Sequence, residues 1–155
     1  MNETSLGLLF GVLAILILVS AFFSSSETSM MSLNRYRLKH LEVTGHRGAR
    51  RAIQLLQRPD RLIGLILIGN NLVNVLASAI ATLIAIRLFG NAGIAIATLV
   101  LTLVILIFAE ITPKTIAALH PERVAFPASA LLVPLQTLLM PLVLAINALT
   151  NGILK

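Results

Sequence analysis

Cysteine is absent from the 155 residues. No disulfide, thiolate metal centre or cysteine nucleophile can be built from them. Charge is scarce as well: 12% of residues are Asp, Glu, Lys or Arg, against 57% hydrophobic. Ordinary soluble domains carry about 25% charged residues, and the apolar runs here are too long and continuous for a water-soluble core. The chain therefore reads as a membrane protein. The first five residues contain no Lys or Arg and include Glu3. A secretory signal peptide needs a basic start, so the first apolar run reads as a retained anchor, although Val19-Ser20-Ala21 resembles a cleavage site. No internal repeat or low-complexity segment stands out.

What charge there is sits in one place. The net charge is +6, and Arg35, Arg37, Lys39, Arg47, Arg50, Arg51, Arg58 and Arg61 lie between the first two apolar runs. Basic charge between lipid-soluble segments marks the cytoplasmic face. Residues 34–58 place Ala49, Ala52, Ile53 and Leu56 at helical spacing, with the arginines largely off that stripe. They predict amphipathic interfacial helices broken near Thr44-Gly45-His46. Predicted spans cover about 6–31, 61–88 and 94–118, with Phe89-Gly90-Asn91-Ala92-Gly93 as a tight turn. The N-terminus is then outside. Residues 124–149 are apolar enough to span but carry Pro127, Pro134 and Pro141. Interior proline kinks a helix, so both a fourth span and a pair of interfacial helices stay open. His40, His46 and His120 lack ligand spacing and read as solvated.

Each predicted span carries polar groups that lipid penalises. The first holds Ser20, Ser24, Glu27 and Thr28; the second, Asn70, Asn74, Ser78 and Thr82, stepping by four; the third, Thr98, Thr102 and Glu110. At 1.5 Å per residue, Ser24 lies ~10 Å from the inner end of its helix, and Asn70 and Glu110 each ~13 Å. Three helices of alternating direction therefore bring Ser24, Asn70 and Glu110 to similar depth, whichever way the whole chain is inserted.

Hydroxyl, amide and carboxylate oxygens are hard ligands suited to Mg²⁺, Ca²⁺ or Na⁺. Backbone oxygens add to them. Pro113 has no N–H for the carbonyl of Ala109. Gly69 and the consecutive serines can loosen their helices. Plainer readings stand beside these. Glu110 could form a surface pair with Lys114 at i,i+4, Asn70 and Asn74 could bind neighbouring helices, and the serines could bond their own backbone. An enzyme is not expected: Ser24 has no evident His or Lys base at its depth.

"FFSSSETSMMSL" (22–33), "LIGNNLVN" (67–74) and "AEITPKTIA" (109–117) together resemble the transmembrane domain of the CorC/cyclin M family. The resemblance covers essentially the whole chain. It implies an all-α membrane protein, a homodimer of three spans plus juxtamembrane helices (34–58 and 121–150) forming a cytoplasmic belt. It implies Mg²⁺ transport, usually export, with Na⁺ as the exchanged ion. The family attaches cytosolic CBS and CorC domains, absent from these residues, and a CBS pair after residue 155 would place the C-terminus in the cytoplasm. The protein would then be multi-pass in the inner membrane, in contact with lipid and not with nucleic acid. The metal site carries over to Ser24, Ser25, Asn70 and Glu110, supported by Gly69, Asn74, Ala109 and Pro113, with Glu27 as a gate. Where animal relatives tend to have Ser-Gly, this chain has Ser24-Ser25, so the Ser25 hydroxyl or only its backbone could contribute. The competing expectation is a Mg²⁺-sensing membrane scaffold that regulates another carrier.

Overall fold

The computed structural model describes residues 3–154, with side chains from residue 6. Met1, Asn2 and Lys155 lie outside the described residues, and so do the side chains on which the retained-anchor reading of the N-terminus rests. Among the described residues the chain is all-helical. α1 runs Glu3–Met31, α2 Arg35–Val43, α3 Arg47–Leu56 and α4 Pro59–Phe89. A 3₁₀ turn, Gly90–Ala92, leads into α5, Gly93–Ile105. A π-helical segment, Leu106–Ile111, follows, then α6, Thr112–Leu119, and α7, Pro121–Leu154. Among the described residues three stretches are long and apolar enough to cross a membrane: Leu6–Ser32, Pro59–Leu119 and Pro121–Leu154. The second is 61 residues long and turns back on itself at the 3₁₀ turn.

The chain divides into two compact units. The first comprises residues up to Ser24 together with Gly69–Thr115. In it α5 folds back along α4, and the reversal depends on two glycines. Gly90 has φ +72°, a left-handed conformation that costs glycine nothing. Gly93 lies so close to α4 that a Cβ would stand 2.5 Å from the carbonyl oxygen of Ala85. Ala77, Ala81, Ala85 and Ala97 are buried, so small side chains let the two arms approach.

The second unit comprises Ser25–Ile68 and the chain from Ile116 onward. Asn34 caps α2 by accepting from the Tyr36 and Arg37 amides. Gly45, at φ +89°, makes the predicted break. His46 is exposed, as expected, and also caps α3: its Nδ1 accepts from the Ala49 N–H at 3.1 Å, and its ring lies 4.8 Å from that of Phe126. Histidine was unrecognised as a cap because Ser, Thr, Asp and Asn dominate that position. The α3 stripe is buried at Ala49, Ala52 and Leu56, while Arg47, Arg50 and Arg58 are exposed. Arg51 reaches α7 instead, donating to Ser129 Oγ at 3.1 Å and to the Phe126 carbonyl at 3.3 Å. Arg37 pairs with Glu122.

Of the two forms left open for residues 124–149, a pair of helices does not occur. α7 is one helix of 34 residues, with Pro127, Pro134 and Pro141 inside it. All three prolines are exposed, while Ala125, Ala128, Ser129, Leu132 and Val143 are buried. The seven-residue spacing keeps every lost backbone bond on the outer face, so the packed face runs on uninterrupted.

Candidate functional site

The first unit gathers the polar residues of its three arms. On α1, Ser20 and Ser24 are one turn apart and each is buried. On α4, Asn70 and Asn74 are likewise one turn apart and half-buried. The Ser20 Oγ lies 3.0 Å from Asn70 Oδ1 and 2.7 Å from Asn74 Oδ1. A serine hydroxyl has one proton and can donate to one of them. The other contact is balanced when an amide turns its Nδ2 toward the hydroxyl, or when a cation shares the oxygens.

Ser24 donates from Oγ to Glu110 Oε1 at 3.4 Å, which is long for an O–H···O bond. Glu110 owes its position to the π-helical segment. There the Thr112 N–H donates to the carbonyl of Ile107, five residues back. The next donor in that register would be Pro113, which has none. The Phe108 carbonyl is thus left without either its α or its π donor. Pro113 withholds the α donor of Ala109 as well. Two adjacent carbonyls therefore precede Glu110 without their regular α-helical bond. π segments of this kind are frequent at functional sites. A groove of about 320 Å³ opens beside the cluster, lined by Asn74, Ser78, Thr102 and Glu110 together with Leu101, Ile105 and Leu106.

The sequence placed Ser24, Asn70, Asn74 and Glu110 here, and all four lie in this unit. Ser25 and Glu27 fall in the second unit, both half-buried. Gly69 has a different role from the one expected. α4 is unbroken through it, and a Cβ there would come within 2.4 Å of the Phe23 ring. It makes room for Phe23 rather than loosening the helix. α1 is also unbroken through its serines; Ser29 Oγ donates to the Ser26 carbonyl at 3.1 Å without ending the helix. Among the described residues that carry these polar groups, those around Glu110 depart from α geometry. The Glu110–Lys114 pair does form, with Nζ 3.2 Å from Oε2, so Pro113 does not prevent it. Ser20 was missed as a site residue. Its signal was the i,i+4 step to Ser24, which repeats the step from Asn70 to Asn74. Among the described residues no group of three or more His, Cys, Asp or Glu could hold a metal. A cation here would rest on one carboxylate and neutral oxygens.

Comparison with known sequences gives a match to the cyclin M transmembrane N-terminal domain over residues 11–155. The chain belongs to this family. The cyclin M domain is 61% identical over 137 residues to the UPF0053 inner membrane protein YfjD of Escherichia coli (strain K12), covering 88% of this chain and 32% of the relative. It is 50% identical over 155 residues to a UPF0053 protein of Haemophilus influenzae, covering 100% of this chain and 37% of that protein. A more distant relative, the polyamine export protein of Haemophilus influenzae, is 31% identical over 149 residues, covering 88% and 34%. The cyclin M domain thus spans about a third of the length of these relatives.

Proposed function

We propose that this domain carries Mg²⁺ across the membrane through the oxygen cluster of its first unit, exporting it in exchange for Na⁺. The observation that carries this reading is the convergence of Ser20, Asn70 and Asn74 on one point, one helical turn from the Ser24–Glu110 contact. An octahedral Mg²⁺ shell at about 2.0–2.1 Å sets neighbouring ligand oxygens about 2.9 Å apart. The Ser20 contacts of 3.0 and 2.7 Å already have that spacing, which a hydrogen bond shares. Glu110 supplies charge, the serines and asparagines supply neutral oxygens, and the Phe108 and Ala109 carbonyls offer lone pairs nearby. Mg²⁺ gives up water reluctantly, so several such oxygens are needed for partial dehydration. The wider arrangement proposed with it is an inner-membrane homodimer with the N-terminus outside and the C-terminus cytoplasmic. α2, α3 and α7 form the cytoplasmic belt, and Ser25 and Glu27 serve as ligand and gate.

A second cationic substrate is favoured by one relative's name and one feature of the groove. Its wall combines Asn74, Ser78, Thr102 and Glu110 with the apolar side chains of Leu101, Ile105 and Leu106, which suits an alkyl chain bearing ammonium groups. Flux through the reconstituted protein, with Mg²⁺, Ca²⁺, Na⁺ and polyamine gradients varied one at a time, separates the two. Mg²⁺ flux that Glu110→Ala abolishes is the expected result. Polyamine flux alone would replace Mg²⁺ as substrate. Mg²⁺ binding without flux of any ion would favour a sensor that regulates another carrier.

A further inference from the structure

Glu110 faces two groups at once. Its Oε1 accepts from Ser24 on α1 at 3.4 Å, and its Oε2 lies 3.2 Å from Lys114 Nζ. We infer that Lys114 is a tethered competitor for the cation site: its ammonium occupies Glu110 when no ion is bound and must leave when one arrives. The inference rests on the reading of Glu110 as part of a cation site.

The argument is one of charge and reach. A carboxylate in an apolar helix needs a compensating charge. In the ion-free protein Lys114 provides it from one turn away on the same arm. A divalent ion at Glu110 would stand within a few ångströms of that ammonium, and two cations cannot share the carboxylate without strong repulsion. One must go. The Lys114 side chain is 46% exposed, against 25% for Glu110, and its four-carbon stem is flexible, so it has somewhere to swing. A covalently tethered competitor acts at a high effective concentration. It thereby weakens ion affinity and speeds release, both useful in a carrier that must let go of its ion. Glu110 is also never left as a bare charge after release. Ser24 remains on the other oxygen throughout and holds the carboxylate in place while the cation changes.

The test is Mg²⁺ titration of the purified protein by calorimetry, with the Mg²⁺-dependent thermal midpoint as a second readout. Lys114→Met removes the competitor and is expected to tighten Mg²⁺ binding about three- to tenfold. Lys114→Arg keeps the charge and can grip both carboxylate oxygens in a fork, so it is expected to bind Mg²⁺ more weakly than wild type. A merely structural lysine would change the ion-free thermal midpoint in both variants and leave the Mg²⁺ affinity where it was; that result overturns the inference. Wild-type protein that shows no Mg²⁺ binding overturns instead the functional reading beneath it, and the competitor with it. Wild-type binding with the order Met tighter than Lys tighter than Arg supports both.

Discussion

The Ser20 hydroxyl holds one proton and faces two amide oxygens. Replacing it with alanine leaves both amides without their α1 partner. Side-chain hydrogen bonds between membrane helices contribute on average about 0.6 kcal/mol and at most about 1.7. Ser20→Ala is therefore expected to lower stability by about 0.5–2 kcal/mol, read as a lower thermal midpoint in detergent, and to weaken Mg²⁺ binding. Gly69 is a second position where one atom decides. Gly69→Ala drives a methyl into the buried Phe23 ring, and overpacking of this kind costs about 1–3 kcal/mol. The loss is expected to be largely recovered in Gly69→Ala/Phe23→Leu, and a double-mutant cycle showing additive effects would refute the contact. Neither role was legible beforehand. A serine in an apolar helix most simply bonds its own backbone, as Thr98, Thr102 and Thr137 do here. The partner that gives Gly69 its purpose lies 46 positions away in the sequence.

At the scale of elements, the departure from regular geometry falls on one arm. Leu106–Ile111 is π-helical and ends where Pro113 withholds its N–H. Proline in a helix interior costs about 3 kcal/mol or more. Pro113→Ala restores the donor and lets the segment relax toward an α register. The expected outcome has two parts: a higher thermal midpoint without ion, and a smaller increase on adding Mg²⁺, because Glu110 turns away from Ser24. A variant that gained stability and kept its full Mg²⁺ response would show that the wide turn has no part in the site. The missing N–H at Pro113 was visible in the sequence; which of two registers the chain would adopt around it was not. α7 shows a similar limit. Proline spacing was readable, but whether the packed face survives depends on which side the prolines take, and all three are on the outside. The break at Gly45 and the turn at Gly90 were legible because both need φ values that favour glycine.

For the whole molecule, apolar run length and scarce charge together marked a membrane protein, since 12% charged residues is about half of what ordinary soluble domains carry. Depth counting along three runs put Ser24, Asn70 and Glu110 at similar height, because a helical rise of about 1.5 Å per residue converts position into height; in the structure Ser24 meets Glu110 while Asn70 meets Ser20. Such counting does not say which face of each helix turns inward, and so it passed over Ser20. The hairpin of α4 and α5 rests on the close approach at Gly93. Gly93→Ala would place a methyl against the Ala85 carbonyl, where backbone and not a mobile side chain must yield. It is expected to destabilise the protein by about 1–3 kcal/mol and to lower Mg²⁺ response only in proportion to unfolding. Glu110→Gln is the opposite kind of change: it keeps shape and removes one charge, so the fold is expected to persist while the ion is lost. The most direct measurement is therefore a calorimetric Mg²⁺ titration of wild type against Glu110→Gln, each confirmed folded by its thermal transition. Saturable binding in wild type, with a loss of at least about tenfold in affinity in the variant, is the predicted result. Equal affinity in the two proteins would contradict it.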